Sequence, residues 1–132
     1  MTQCKSQLCR HIKATNGSCP AHPARIVAYT LVNGSFRREW ESNLDQIKSR
    51  LDGTRNELYE KLRLKATPGD WSHLIKQKGM YSRLGLNQEQ TNDLNEQHGV
   101  LVEMDHVNIS CINDANIDRI VDAIDAVART DL

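Results

Sequence analysis

Two groups of residues in this chain are of the types that do chemistry. The first is a set of thiols and imidazoles within the first 22 residues: Cys4, Cys9 and Cys19 with His11 and His22. Cys-x4-Cys followed by Cys-x2-His would suggest zinc, and a structural zinc site draws close pairs of ligands from tight turns. Ile12, Lys13 and Ala14 look like part of a helix or an extended connector instead of a knuckle, so reduced, unligated thiols are expected. The second group lies in HGVLVEMDHVNISC, residues 98–111. Val100–Val102 and Val107–Ile109 are short apolar runs joined through Met104 and Asp105, which predicts a hairpin with His106 opening its second strand. A histidine there is hydrogen-bonded to its neighbours or to water, makes a weak contact with a ligand, or ligates a metal.

Other chemistries are missing from the sequence. It has no glycine-rich phosphate loop, no His-Glu-x-x-His and no paired carboxylates on a shared turn. Seventeen basic and seventeen acidic residues cancel, which excludes the basic excess that nucleic acid or an anionic membrane requires. No apolar run approaches the roughly 20 residues of a membrane span, and the amino terminus lacks the apolar stretch of a secretory signal. A cytoplasmic protein of one domain's length is expected, with the 39% hydrophobic and 26% charged residues usual for a globular chain.

The elements that must position these residues follow from periodicity. Residues 1–24 read as polar and irregular, because Pro20 and Pro23 lie close together. The run ARIVAYTLV leads into Asn33-Gly34-Ser35, a stop and a cap. Trp40, Leu44, Ile47, Leu51, Thr54, Leu58 and Leu62 recur at steps of three and four, predicting one face of a helix from Phe36 to Leu64. ATPGDW ends it. SHLIKQ and GMYSRL are strand candidates, and Asn87 with Gln90 predicts a capping box opening a helix that stops at Gly99. After the hairpin, Asn113-Asp114 cap a last helix with Ile117, Ile120, Val121, Ile124 and Val127 on one face and Arg129 in its final turn. The fold class is α+β, helices against a small, mainly antiparallel sheet.

Several strings, in order, carry more: SQL at 6–8, PAHPARIVAYTL at 20–31, EW at 39–40, TPGDWSHL at 67–74, GMYS at 79–82, LGLNQEQ at 84–90 and VNIS at 107–110. Over nearly the whole chain they resemble the carboxy-terminal third of class I aspartate aminotransferases, the cytosolic form most closely. SCIN at 110–113 departs from the family's Ser-Gly-Leu, as in a divergent paralog. The resemblance implies the small domain of a fold-type I enzyme, reached by a long connecting helix. Residues 1–35 would be a partial remnant of the large domain and linker, and 36–132 the small domain. It also implies pyridoxal phosphate as cofactor, a homodimer, and exchange of an amino group between a dicarboxylic amino acid and a 2-oxo acid.

By the same resemblance the cofactor-bearing lysine lies upstream of this chain. None of the seven lysines here stands in the family's Ser-x-Ser-Lys context, so no covalent cofactor is expected. Two arginines hold the substrate's carboxylates in the family. The α-carboxylate anchor falls on His106, just before the hydrophobic-Asn-x-Ser motif, and the distal anchor, supplied by the neighbouring subunit, falls on Lys13. Tyr81 matches an aromatic residue flanking the substrate. NGSCP at 16–20 replaces the family's Trp-Ser-Asn-Pro-Pro, and Pro23 replaces a glycine. Arginine grips a carboxylate with two parallel hydrogen bonds, whereas lysine and histidine cannot. The resemblance therefore leaves two outcomes open: a working substrate-side segment, or a silent relative retained as a binding or dimerisation module.

Overall fold

The structure is a computed structural model and describes residues 2–17 and 21–130. The chain divides into two compact units, Met1–Asn43 and Leu44–Leu132. The first holds α1 (Thr2–Asn16), α2 (Ala21–Val32) and the start of α3 (Gly34–Leu64). The second holds the rest of α3, then α4 (His73–Lys76), β1 (Tyr81–Arg83), α5 (Gln88–Glu96), β2 (His106–Asn108) and α6 (Ile117–Arg129).

The irregular amino-terminal segment expected from its prolines is instead two helices. Pro23 is the third residue of α2, within the first turn, where its missing N–H would have had no intrahelical partner. Asn33 separates α2 from α3 as expected, its Oδ1 accepting from the Ser35 N–H at 3.1 Å and the Ser35 hydroxyl at 2.7 Å. None of the first unit's described residues is buried. Ile26, Val27, Tyr29, Val32, Phe36 and Trp40 are all exposed. Tyr29 and Phe36 touch with ring centroids 5.6 Å apart.

The core belongs to the second unit. Leu51, Leu58 and Leu62 of α3 are buried, as the stripe predicts, whereas Leu44 and Ile47 of the same stripe are exposed. At Ala66 (φ 52°) and Gly69 (φ 103°) the chain takes left-handed conformations that end the helix and turn it back. Asp70 then accepts the Ser72 N–H at 2.8 Å and its hydroxyl at 3.0 Å, which holds the Asp70 carboxyl below the usual carboxylate range. This Asx turn converts the expected strand SHLIKQ into the short helix α4, with Leu74 fully buried. Leu84, Leu94, Val107, Ile109, Ile112, Ile117, Ile124 and Val127 complete the core.

β1 and β2 form an antiparallel pair, with Tyr81 opposite Asn108, Ser82 opposite Val107 and Arg83 opposite His106. Ser82 and Val107 face inward while Tyr81, Arg83 and His106 face outward. The hairpin expected across 100–111 is reduced to a single bridge between Glu103 and His106. Asn95 explains the rest: its side chain donates to the Val102 carbonyl at 2.9 Å and accepts the Val102 N–H at 2.8 Å, taking the place of a strand. The Asn87–Gln90 capping box forms as expected, and Gly99 is left-handed (φ 61°). α6 begins at Ile117, later than Asn113-Asp114 suggests, because Asn113 closes its own turn by accepting the Ala115 N–H at 3.0 Å.

Asp125 on α6 joins that helix to the turn after α3. It accepts from the Thr67 hydroxyl at 2.8 Å and from Arg129 Nε at 3.0 Å, while Arg129 also donates to the carbonyls of Lys65 and Ala66. The Arg129 hydrogen bond is the main reason its carboxyl sits below the usual range. A carboxyl depressed in the folded state contributes stability above its unfolded pKa, near 3.9, and loses it as pH falls through the folded value. At pH 7, Asp125→Asn should cost about 1–3 kcal/mol, as expected for a broken buried hydrogen-bond group. Urea melts repeated down to pH 2 should show the gap between the two proteins closing; a gap independent of pH would remove Asp125 from acid unfolding.

Candidate functional site

His106 follows a turn that leaves its backbone little freedom. Met104 (φ 47°) and Asp105 (φ 66°) are both left-handed, the conformation of a type I′ turn, and neither is glycine. Asp105 stabilises the turn: its buried carboxylate accepts from the N–H groups of Gly85 at 3.1 Å and Leu86 at 2.9 Å, and Arg83 Nε lies 3.5 Å away. Glu103 and His106 close it with two backbone hydrogen bonds, of 3.1 and 2.8 Å. Their side chains therefore leave one face of the turn side by side.

The ring of His106 is exposed, and its Nδ1 lies 2.8 Å from the carbonyl oxygen of Met104. A carbonyl only accepts, so Nδ1 carries the proton and donates. In the neutral ring Nε2 is then a bare lone pair, which cannot hold a carboxylate. Protonation gives Nε2 one N–H, still a single contact where a guanidinium has a fork.

Tyr81 and His106 are diagonal neighbours on the outward face of the β1–β2 pair. Both line one hollow of about 300 Å³, with Glu103, Asn108 and Cys111 on the strand side and Asn116 and Arg119 from α6. Its floor is apolar, including buried Val100, Val107, Ile112 and Ile120. The histidine and tyrosine singled out in the sequence thus share one concave surface. Lys13 lies on α1, in the first unit, with its side chain exposed.

Two polar residues of the hollow, Glu103 and Arg119, are invisible to sequence reasoning. Glu103 sits within an apolar run, and Arg119 is flanked by Asp118 and Asp122, which look like helix partners. Lys61 takes Asp118 at 2.7 Å and Lys65 takes Asp122, so neither acid serves Arg119. A third missed residue supports the hairpin from behind. Arg55 of α3, 2% exposed, donates from Nε to Ser82 Oγ at 3.0 Å and from Nη2 to the Gly79 carbonyl.

The thiols offer less. Cys4, Cys9 and Cys111 are free and exposed, and Cys19 lies outside the described residues. Among the described residues no three His, Cys, Asp or Glu side chains group to hold a metal. A carbonyl cofactor carried as an imine needs a lysine amine, and no lysine lines the hollow of His106. The residues there do not fit a covalently held pyridoxal phosphate. No described helix is long and apolar enough to cross a membrane.

Residues 3–124 match the family described as aminotransferase class I and II. The chain is 35% identical over 126 residues to the cytoplasmic aspartate aminotransferase of Caenorhabditis elegans, covering 95% of this chain and 31% of that one. Among solved structures it is similar to the aspartate aminotransferase of Saccharomyces cerevisiae cytoplasm, with TM-score 0.88, 32% identity and coverage of 97% of this chain and 31% of that chain. It is also similar to the aromatic-amino-acid aminotransferase of Burkholderia pseudomallei, solved covalently bound to pyridoxal phosphate, with TM-score 0.84, 31% identity and coverage of 97% and 32%. The chain spans about 30% of the length of the curated relatives it matches.

Proposed function

The chain belongs to the class I and II aminotransferases, and on that premise we propose that it is the substrate-side, carboxy-terminal part of an aspartate aminotransferase-like protein. In a longer form the amino group would pass between L-aspartate and 2-oxoglutarate, with pyridoxal phosphate as the carrier held by a lysine outside this chain. Residues 36–132 would act as the small domain and 1–35 as a remnant of the large domain and linker. His106 and Tyr81 would face the substrate's α-carboxylate side, and Lys13 would reach the distal carboxylate of a neighbouring subunit in a cytoplasmic homodimer. The placement of Tyr81 and His106 on one hollow carries this reading. The exposed apolar row of α2 supports a larger assembly, because a patch of that kind marks an interaction surface.

One observation favours the silent-relative reading for activity. The His106 ring, with Nδ1 taken by the Met104 carbonyl, has a single nitrogen left for a carboxylate where a guanidinium has a fork. The 132-residue chain supplied with pyridoxal phosphate, L-aspartate and 2-oxoglutarate is expected to form no oxaloacetate. A chimera carrying it in place of the matching third of the yeast cytoplasmic enzyme should regain slow turnover. Turnover by the short chain would overturn the proposal, and so would a folded chimera that binds cofactor yet binds no dicarboxylate.

A further inference from the structure

The tripeptide Asn-Gly-Ser occurs twice, at 16–18 and 33–35, and an asparagine followed by glycine can lose its side-chain amide to its own backbone. The two copies stand in different surroundings. Just past α1 the Gly17 N–H donates to the Lys13 carbonyl at 3.1 Å, so that nitrogen is committed. Gly34 opens α3, where its N–H has no partner within the helix and lies at the positive end of the helix dipole. The Arg38 guanidinium is close by, with Nη1 3.6 Å from the place a Cβ on Gly34 would occupy. Asn33 Oδ1 accepts from the Ser35 N–H at 3.1 Å and the Ser35 hydroxyl at 2.7 Å. Asn33 Nδ2 has no hydrogen-bond partner among the described residues.

We propose that Asn33-Gly34 is a site of spontaneous deamidation, which turns the cap of α3 into a carboxylate. The Gly34 nitrogen attacks Asn33 Cγ, forming the N–Cγ bond of a five-membered succinimide. The Cγ–Nδ2 bond breaks and the amide departs as ammonia, taking up the proton of the Gly34 N–H. Water then opens the ring at either carbonyl, leaving an aspartyl or an isoaspartyl linkage with one new carboxylate. The helix dipole and Arg38 favour the first step by stabilising the anion that forms as the Gly34 nitrogen gives up its proton. Glycine has no side chain to obstruct closure. The Ser35 hydroxyl and N–H donate to the oxygen on which negative charge develops, and the unbonded Nδ2 is free to leave. An aspartyl product keeps the cap and suits the helix N-terminus. An isoaspartyl product lengthens the main chain and loses it. Either product places a charge between the exposed apolar side chains of Val32 and Phe36.

The test keeps the full chain folded in neutral, reducing buffer and samples it over weeks, with trypsin separating the two copies into peptides 14–25 and 26–37. Deamidation adds one mass unit, and chromatography resolves the aspartyl and isoaspartyl forms. Peptide 26–37 should convert about tenfold faster than 14–25, the worth of one or two ordinary hydrogen bonds. In urea, where both copies are unfolded, the two rates should come together. Gly34→Ala fits the helix, its Cβ in ordinary contact with Arg38, and should stop conversion at Asn33 while leaving Asn16 unchanged. Ser35→Ala removes the donated hydroxyl and should slow conversion about fivefold. Equal rates for the two copies in the folded chain, an Asn33 that stays intact, or a rate unaltered by Ser35→Ala would each overturn the proposal.

Discussion

In the yeast chimera, His106→Arg should raise kcat/KM for L-aspartate by about a hundred- to several-thousand-fold, mostly through the Michaelis constant. A bidentate, charge-assisted contact in a desolvated site is worth about 3–5 kcal/mol by comparison with truncating one partner of a buried charge pair, and each 1.4 kcal/mol is tenfold. The structure sharpens the reason. With Nδ1 bound to the Met104 carbonyl, only Nε2 is left to face a carboxylate, one contact at most where a guanidinium offers two. Binding of succinate, which has carboxylates and no ammonium, measured in both forms separates this from a general loss of structure. An unchanged Michaelis constant in His106→Arg would place the carboxylate elsewhere.

What the sequence reveals about this molecule tracks where local signals suffice. The long helix, the Asn87 box, the Gly99 stop and the apolar face of α6 are visible because spacing and capping chemistry act within a few residues. The amino-terminal helices are hidden by their prolines, since a pattern of proline and polar residues does not reveal that Pro23 occupies a first turn. The strand in SHLIKQ fails because Asp70, outside that string, closes a turn over it. The shortened hairpin depends on Asn95, seven residues from the Val102 it pairs with. His106 and Tyr81 could be named from motifs, but their shared hollow could not, nor could Glu103 and Arg119. Arg119 is left without the nearby acids of its own helix because Lys61 and Lys65, more than fifty residues away in sequence, occupy Asp118 and Asp122.

Arg55→Ala should be the most damaging substitution on α3, costing about 3–5 kcal/mol in urea melts. Arg55 is a long side chain inside the stripe of Leu51, Leu58 and Leu62, and it reaches across to β1. Alanine would leave a cavity and strip the fully buried Ser82 hydroxyl of its partner. Burying a guanidinium has its own desolvation cost, offset here by Ser82, the Gly79 carbonyl and half-exposed Asp52 at 3.4 Å. Arg55→Met separates the contributions, because it restores volume and removes the charge while Ser82 stays unpaired. About 1–2 kcal/mol of the loss should persist in Arg55→Met, and Ser82→Ala in the same chain should recover part of it. Amide exchange at Ser82 and Val107 should quicken in both Arg55 variants, since these residues pair across the strands that carry Tyr81 and His106. Should Arg55→Met prove as stable as the native chain with exchange unaltered, Arg55 would be a space-filler and the hairpin would be held by its apolar contacts alone.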